Sequence, residues 1–81
     1  MSLGFSFPSE GELVIHFSGI TPEAPQATLY PLVAQAIRWC KDWLVGQPLL
    51  RAVIESSDFA PGGAFEVRFT LKPRVPRDKR L

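Results

Sequence analysis

A single cysteine, Cys40, leaves the 81-residue chain without a partner for an intramolecular disulfide, and no Cys-x-x-Cys, His-x-x-x-His or calcium-loop spacing offers a metal its ligands. Cofactors and dedicated metal sites are therefore not expected. One histidine, His16, and one cysteine give nucleophilic or acid-base catalysis little to converge, and no paired-carboxylate motif compensates. The chain reads as non-enzymatic. Long apolar runs are also missing: the longest near-continuous one, Leu13 to Phe17, is interrupted by His16 and falls far short of the roughly 18 residues that cross a bilayer. The opening stretch MSLGFSFPSEGE has neither the charged start nor the long apolar stretch of a secretory signal, so no membrane association and a cytoplasmic home are expected.

What is present suffices for one folded domain. Leu, Ile, Val and Phe make up 25 of 81 residues, above the level of roughly 20% below which chains stay disordered. A domain of this size buries only about 60% of the surface its unfolded chain exposes, so self-association would supplement a thin stability margin.

Two alternating segments open the chain. Leu3, Phe5 and Phe7 alternate with Gly4 and Ser6, Pro8-Ser9-Glu10-Gly11 interrupts, and Leu13, Ile15 and Phe17 resume the alternation. This predicts a hairpin with strands near 3–7 and 12–19 and all these apolar residues on one face. Pro22 and Pro25 mark a connection that crosses the sheet. A helix is expected after it, with Thr28 as N-cap and Pro31 in the first turn, or with Tyr30 as cap and Pro31 at the first helical position. Gly46, in the left-handed conformation, and Pro48 are expected to end it. Residues 49–56 and 64–72 then alternate as two further strands, joined by the loop 57–63, whose Gly62-Gly63 pair reads as a hairpin turn because no helix follows to cradle a phosphate.

The expected fold is therefore α+β: a single small domain in ββαββ order, with one amphipathic helix packed on one face of a four-stranded, largely antiparallel sheet. The domain is expected to span residues 1–73, with 74–81 a basic, mobile tail. Ile15, Phe17, Val33, Ile37, Cys40, Ile54, Phe65, Val67 and Phe69 are the expected core. Cys40 belongs there as a small hydrophobe, and His16 belongs on the opposite, polar face.

The helix carries the strongest pattern. Winding it at about 100° per residue places Trp39, Leu32, Trp43, Ala36, Leu29, Cys40, Val33, Leu44, Ile37 and Tyr30 consecutively around an arc of roughly 180°. A small sheet needs a stripe of little more than 100°. The surplus is open to two readings: Trp39 and Trp43 close the core over the sheet edge, or they form an interface together with Leu32 and Tyr30, in a homodimer or with a protein partner. On the second reading, replacing both tryptophans with Gln leaves the fold cooperative and shifts the assembly toward monomer.

Charge supplies the alternative. The net charge is only +1, but residues 1–71 carry seven acids against four bases, whereas Lys72, Arg74, Arg77, Lys79 and Arg80 face the single acid Asp78 in the last ten. Such a tail could hold nucleic acid nonspecifically. The expected polar sheet face, however, presents Val14, His16, Ser18, Arg51, Val53, Glu55, Glu66, Arg68, Thr70 and Lys72, with no aromatic ring for a base to stack on. The favoured expectation is a small interaction module, a homodimer or an accessory or regulatory binding protein, using the Trp-edged helix or an exposed strand edge. A nucleic-acid-associated protein using its basic tail is the alternative.

Overall fold

Alternation of side chains translates directly into strand pairing. In the structure, a computed structural model that describes residues 2–74, strands β1 (Ser2–Ser6) and β2 (Glu12–Ser18) precede helix α1 (Gln26–Leu44), and β3 (Leu50–Phe59) and β4 (Phe65–Pro73) follow it. The four strands form one antiparallel sheet in the order β1-β2-β4-β3, so β1 and β3 are its two edges. One helix covers one face of this sheet, giving a small α+β domain. The charged tail residues 75–81 lie outside the described residues, and with them the expected tail apart from Arg74, whose backbone N–H donates to the Leu49 carbonyl at 2.8 Å.

The register explains which residues make the core. Leu3 pairs with Phe17 and Phe5 with Ile15 across β1 and β2, while Leu13, Ile15 and Phe17 pair with Phe69, Val67 and Phe65 of β4. Directly paired residues point to the same face. The β2 and β4 members are all buried, and Leu32, Ala36 and Cys40 of the helix close over them. The small Ala36 and Cys40 side chains let the helix axis approach a sheet surface raised by phenylalanines. Their neighbours Leu29, Val33, Ile37, Trp39, Trp43 and Leu44 are partly buried around this centre.

Turn chemistry accounts for the hairpins. Gly11 adopts φ +84°, a left-handed angle that other residues adopt only at a cost of about 1–2 kcal/mol, and its carbonyl accepts from the Leu71 N–H at 2.8 Å. The Gly62-Gly63 segment is a hairpin loop: Ala60 N–H donates to the Ala64 carbonyl at 2.7 Å and Gly63 N–H to the Ala60 carbonyl at 2.9 Å.

The structure departs from the sequence expectations at three places. Strand β3 runs on through Phe59 instead of yielding to a loop at residue 57, because a bulge between Ile54 and Ser56 slips the register by one residue. After that slip, Ser57 and Phe59 pair with the core-facing Val67 and Phe65, and the Phe59 ring packs 5.2 Å from Phe65. The helix begins at Gln26 with Pro25 as N-cap, in place of Thr28 or Tyr30, since the extended backbone of Pro25 (ψ 157°) delivers its carbonyl to the Thr28 N–H at 2.8 Å. Pro31 consequently sits inside the helix, on its exposed side, where it cannot make the helical bond to the Ala27 carbonyl. Gly46 does not take a left-handed angle: the chain leaves the helix through a run of tighter bonds, Val45 to Asp42, Gly46 to Trp43 and Gln47 to Leu44.

Burial also corrects the expected core at one edge. Ile54 is 44% exposed, and Val33 and Ile37 are only half-buried, because the helix leaves part of the β3 side of the sheet uncovered. Cys40, by contrast, is buried, and desolvation pushes its thiol above its ordinary pKa. Alkylation of Cys40 by iodoacetamide is therefore expected to be markedly slower in the native protein than in denaturant. Comparable rates with and without denaturant would show the thiol to be accessible in the folded state.

Candidate interaction surface

Trp39 and Trp43 lie one helical turn apart on the side of α1 that overhangs β1. The Trp39 indole stacks on Phe5, with ring centroids 5.9 Å apart and planes 5° from parallel, and Trp43 packs on Phe7 at 5.6 Å and 45°. Both indoles are half-buried, and both phenylalanines remain open, Phe5 at 43% and Phe7 at 53% exposed. The result is a shelf of four aromatic rings along the β1 edge of the domain.

The other two sequence-expected interface residues are not part of this shelf. Leu32 is buried in the core, so it supports the helix but presents nothing to a partner. Tyr30 is 70% exposed but lies at the opposite end of the apolar arc, on the β3 side, where it borders a cleft of about 100 Å³ with Gln26, Leu29, Val33, Ser57 and Phe65. Farther along that side, Ile37, Cys40, Lys41, Leu44, Ala52, Ile54 and Phe69 line a groove of about 170 Å³. Phe5 and Phe7 are the shelf residues that helix periodicity missed. Their alternation with Leu3 placed them on the core face, but only the strand order shows that this face runs out beneath them at an edge.

The two sheet edges differ in chemistry. Residues 2–7, Ser-Leu-Gly-Phe-Ser-Phe, carry no charge. Strand β3 carries Arg51, Glu55 and Asp58 and a bulge, the devices by which edge strands avoid pairing with other chains. Gly4 sits in the middle of β1, and a Cβ there would fall 2.6 Å from His16 Cε1, so the imidazole lies across β1 where a side chain would otherwise stand. The Ser2 and Ser18 hydroxyls are hydrogen-bonded to each other.

The face opposite the helix is polar. Arg68 donates from Nη1 to Glu12 Oε2 at 3.0 Å and from Nη2 to Glu66 Oε1 at 3.3 Å, and the Ser9 hydroxyl donates to Glu12 Oε1 at 2.9 Å. Arg68 stands directly opposite Val14, and its stem, drawn across β2 toward Glu12, accounts for the burial of a valine on this face. His16 pairs with Glu66, and Lys72 with Arg51, also on this face. No aromatic residue of the four strands stands here. His16 and Cys40 are thus separated by the sheet, and among the described residues no three His, Cys, Asp or Glu side chains gather where they could hold a metal ion. Of the tail cations, Lys72 and Arg74 are exposed, while Arg77, Lys79 and Arg80 lie outside the described residues. No helix among the described residues is long and apolar enough to cross a membrane.

The Ser9 hydroxyl and then Arg68 hold the Glu12 carboxyl below its ordinary pKa. A depressed folded-state pKa means stabilisation that is present above the ordinary carboxylate range and lost as pH falls through the lowered value. The melting-temperature difference between the native protein and Glu12→Gln should accordingly narrow as pH drops from 7 toward 3. A difference that stays constant over this interval would place the effect of the substitution elsewhere.

No family model matches the chain, and comparison with curated proteins and with solved structures gives no match either.

Proposed function

We propose that this chain is a small non-enzymatic interaction module whose contact surface is the uncharged β1 edge together with the Phe5, Phe7, Trp39 and Trp43 shelf. The observation that carries this reading is the coincidence of the two features along one margin of the domain. An edge strand offers a row of unpaired backbone donors and acceptors, and the half-open rings beside it offer apolar area to whatever pairs there. The partner chemistry is that of an extended polypeptide: main-chain hydrogen bonds to β1, with apolar side chains laid on the shelf. Tryptophan and phenylalanine suit this task because each buries large area with few rotatable bonds. A lone thiol kept in the core fits a reducing, cytoplasmic setting.

Selection of extended peptides from a random display library against the full chain tests the reading. Selected peptides are expected to protect β1 amides from hydrogen exchange and to lose affinity on Phe7→Lys, but not on Ile54→Lys at the other edge. Failure to select any binder, or binders that protect β3 instead, would overturn it.

A further inference from the structure

The sequence of β1 reads nearly the same in both directions: Ser2, Leu3, Gly4, Phe5, Ser6, a serine at each end, an apolar residue inside each, and glycine at the centre. An antiparallel strand pair related by a two-fold axis brings residue i of one copy opposite residue j of the other with i + j constant. The only such register that pairs all five residues of β1 centres on Gly4, placing Ser2 opposite the partner's Ser6, Leu3 opposite the partner's Phe5, and Gly4 opposite its own copy.

Every term of that register is compatible. Leu3 and Phe5 both lie on the helix face, since they pair with the core residues Phe17 and Ile15, whereas Ser2, Gly4 and Ser6 pair with Ser18, His16 and Val14 and share the opposite face. Apolar therefore meets apolar, and serine meets serine. No charge of either sign is brought up against its own copy, as must happen at the axis wherever a symmetric edge carries a central charged residue. On the polar face β1 itself places no side chain at the axis, and the space over each Gly4 is taken by the His16 imidazole of the same copy.

We infer that the occupant of the β1 edge is a second copy of this chain, paired β1 to β1 about Gly4 into a continuous eight-stranded sheet with both helices on one face. The inference rests on the interaction reading above and names its partner. In this arrangement Phe5 of each copy stands opposite the partner's Leu3 beside the axis and loses the exposure it has in the isolated domain, while Phe7 lies beyond the five paired residues at the outer end of the seam. The open area of Phe5 is roughly 90 Å² per copy, taking an ordinary phenylalanine surface of about 200 Å². With the rims of the Trp39 indoles and two five-residue strand backbones, the total stays below the roughly 1,000 Å² that stable specific interfaces clear, in the range of weak, reversible contacts. A seam of this size is a reversible contact and not an obligate dimer.

Sedimentation velocity on the full chain from about 5 to 500 µM, with tryptophan emission followed over the same range, tests the inference. The expected result is a monomer–dimer equilibrium whose dimer has blue-shifted emission, since Trp39, stacked on Phe5 beside the seam, is covered on association. Ser2→Lys/Ser6→Lys sets lysines opposite each other twice per dimer and should leave a monomer that still unfolds in one cooperative transition. A second variant, Ser2→Cys/Ser6→Cys, reads the register: paired Cα atoms about 4.5–5.5 Å apart permit a disulfide, so mild oxidation should yield a covalent dimer linking position 2 of one copy to position 6 of the other. A chain that stays monomeric at 500 µM, a dimer indifferent to the paired lysines, or a cross-link at other positions would overturn the inference. If the monomeric chain nonetheless binds selected peptides at β1, self-pairing alone fails; if it binds none, the interaction reading fails with it.

Discussion

Phe17→Ala should abolish the cooperative thermal transition at ordinary temperatures, and Phe69→Ala should lower it severely without matching that loss. Both are large-to-small changes in the core, worth about 3–5 kcal/mol each, against a total stability of about 5 kcal/mol for a domain this small. The structure orders them. Phe17 is fully buried between Leu3 on β1 and Phe65 on β4, so its removal leaves a closed cavity that the surrounding strands cannot fill. Phe69 is buried too, but it lines the groove between α1 and β3 beside the half-exposed Ile54. A void there opens onto existing space into which Ile54 and Leu44 can shift, which puts its cost toward 3 kcal/mol. Urea titrations of both variants measure the difference. Equal losses, or the larger loss at Phe69, would mean that the groove is closed in solution and that the helix sits farther toward β3.

That groove also marks where the sequence stopped being informative. The alternation of Leu13, Ile15 and Phe17 and of Phe65, Val67 and Phe69 was sufficient to identify the two central strands and their inner face, because period two leaves no other assignment for residues so regularly spaced. The same rule failed in β3. Ser57 and Asp58 look like loop, and the bulge that turns Phe59 inward is a local backbone decision with no signature in residue type. Helix boundaries slipped for a related reason: a proline can serve as N-cap through its carbonyl alone, so Pro25 displaced Thr28 without any side-chain cap. For the candidate surface, the helical arc was legible and its coverage was not. Periodicity placed Trp39 and Tyr30 at opposite ends of one stripe, but which end is met by aromatic partners depends on β1 being an edge strand with Phe5 and Phe7 at its margin. Ile54 was expected inside on the evidence of its neighbours in sequence, yet its exposure is set by how far the helix reaches across the sheet.

Replacing both tryptophans with Gln should detach β1 while the rest of the domain stays folded. Strand β1 has only one neighbour in the sheet, β2, and it is held from above where Trp39 stacks on its Phe5 and Trp43 packs on Phe7 just beyond its end. Each aromatic pair contributes about 0.5–1.5 kcal/mol beyond its buried area, and the half-buried indoles add area of their own, so the double substitution costs roughly 3 kcal/mol. That loss falls unevenly. The buried centre, Leu13, Ile15, Phe17, Phe65, Val67 and Phe69 beneath Leu32, Ala36 and Cys40, makes no use of the tryptophans' outer rims, whereas Phe5 and Phe7 lose their packing partners outright. Hydrogen exchange should therefore show β1 amides losing protection first, in a local opening that leaves β2, β4 and β3 protected. The expected assembly follows from the same event, since a frayed β1 has no ordered edge to offer, and the variant should be monomeric at concentrations where the native chain associates. Two results would defeat the account. If β1 amides keep their protection, the stacks are incidental to how the strand is held. If protection is lost across all four strands in a single step, β1 is part of the cooperative core, and the tryptophans serve stability in place of association.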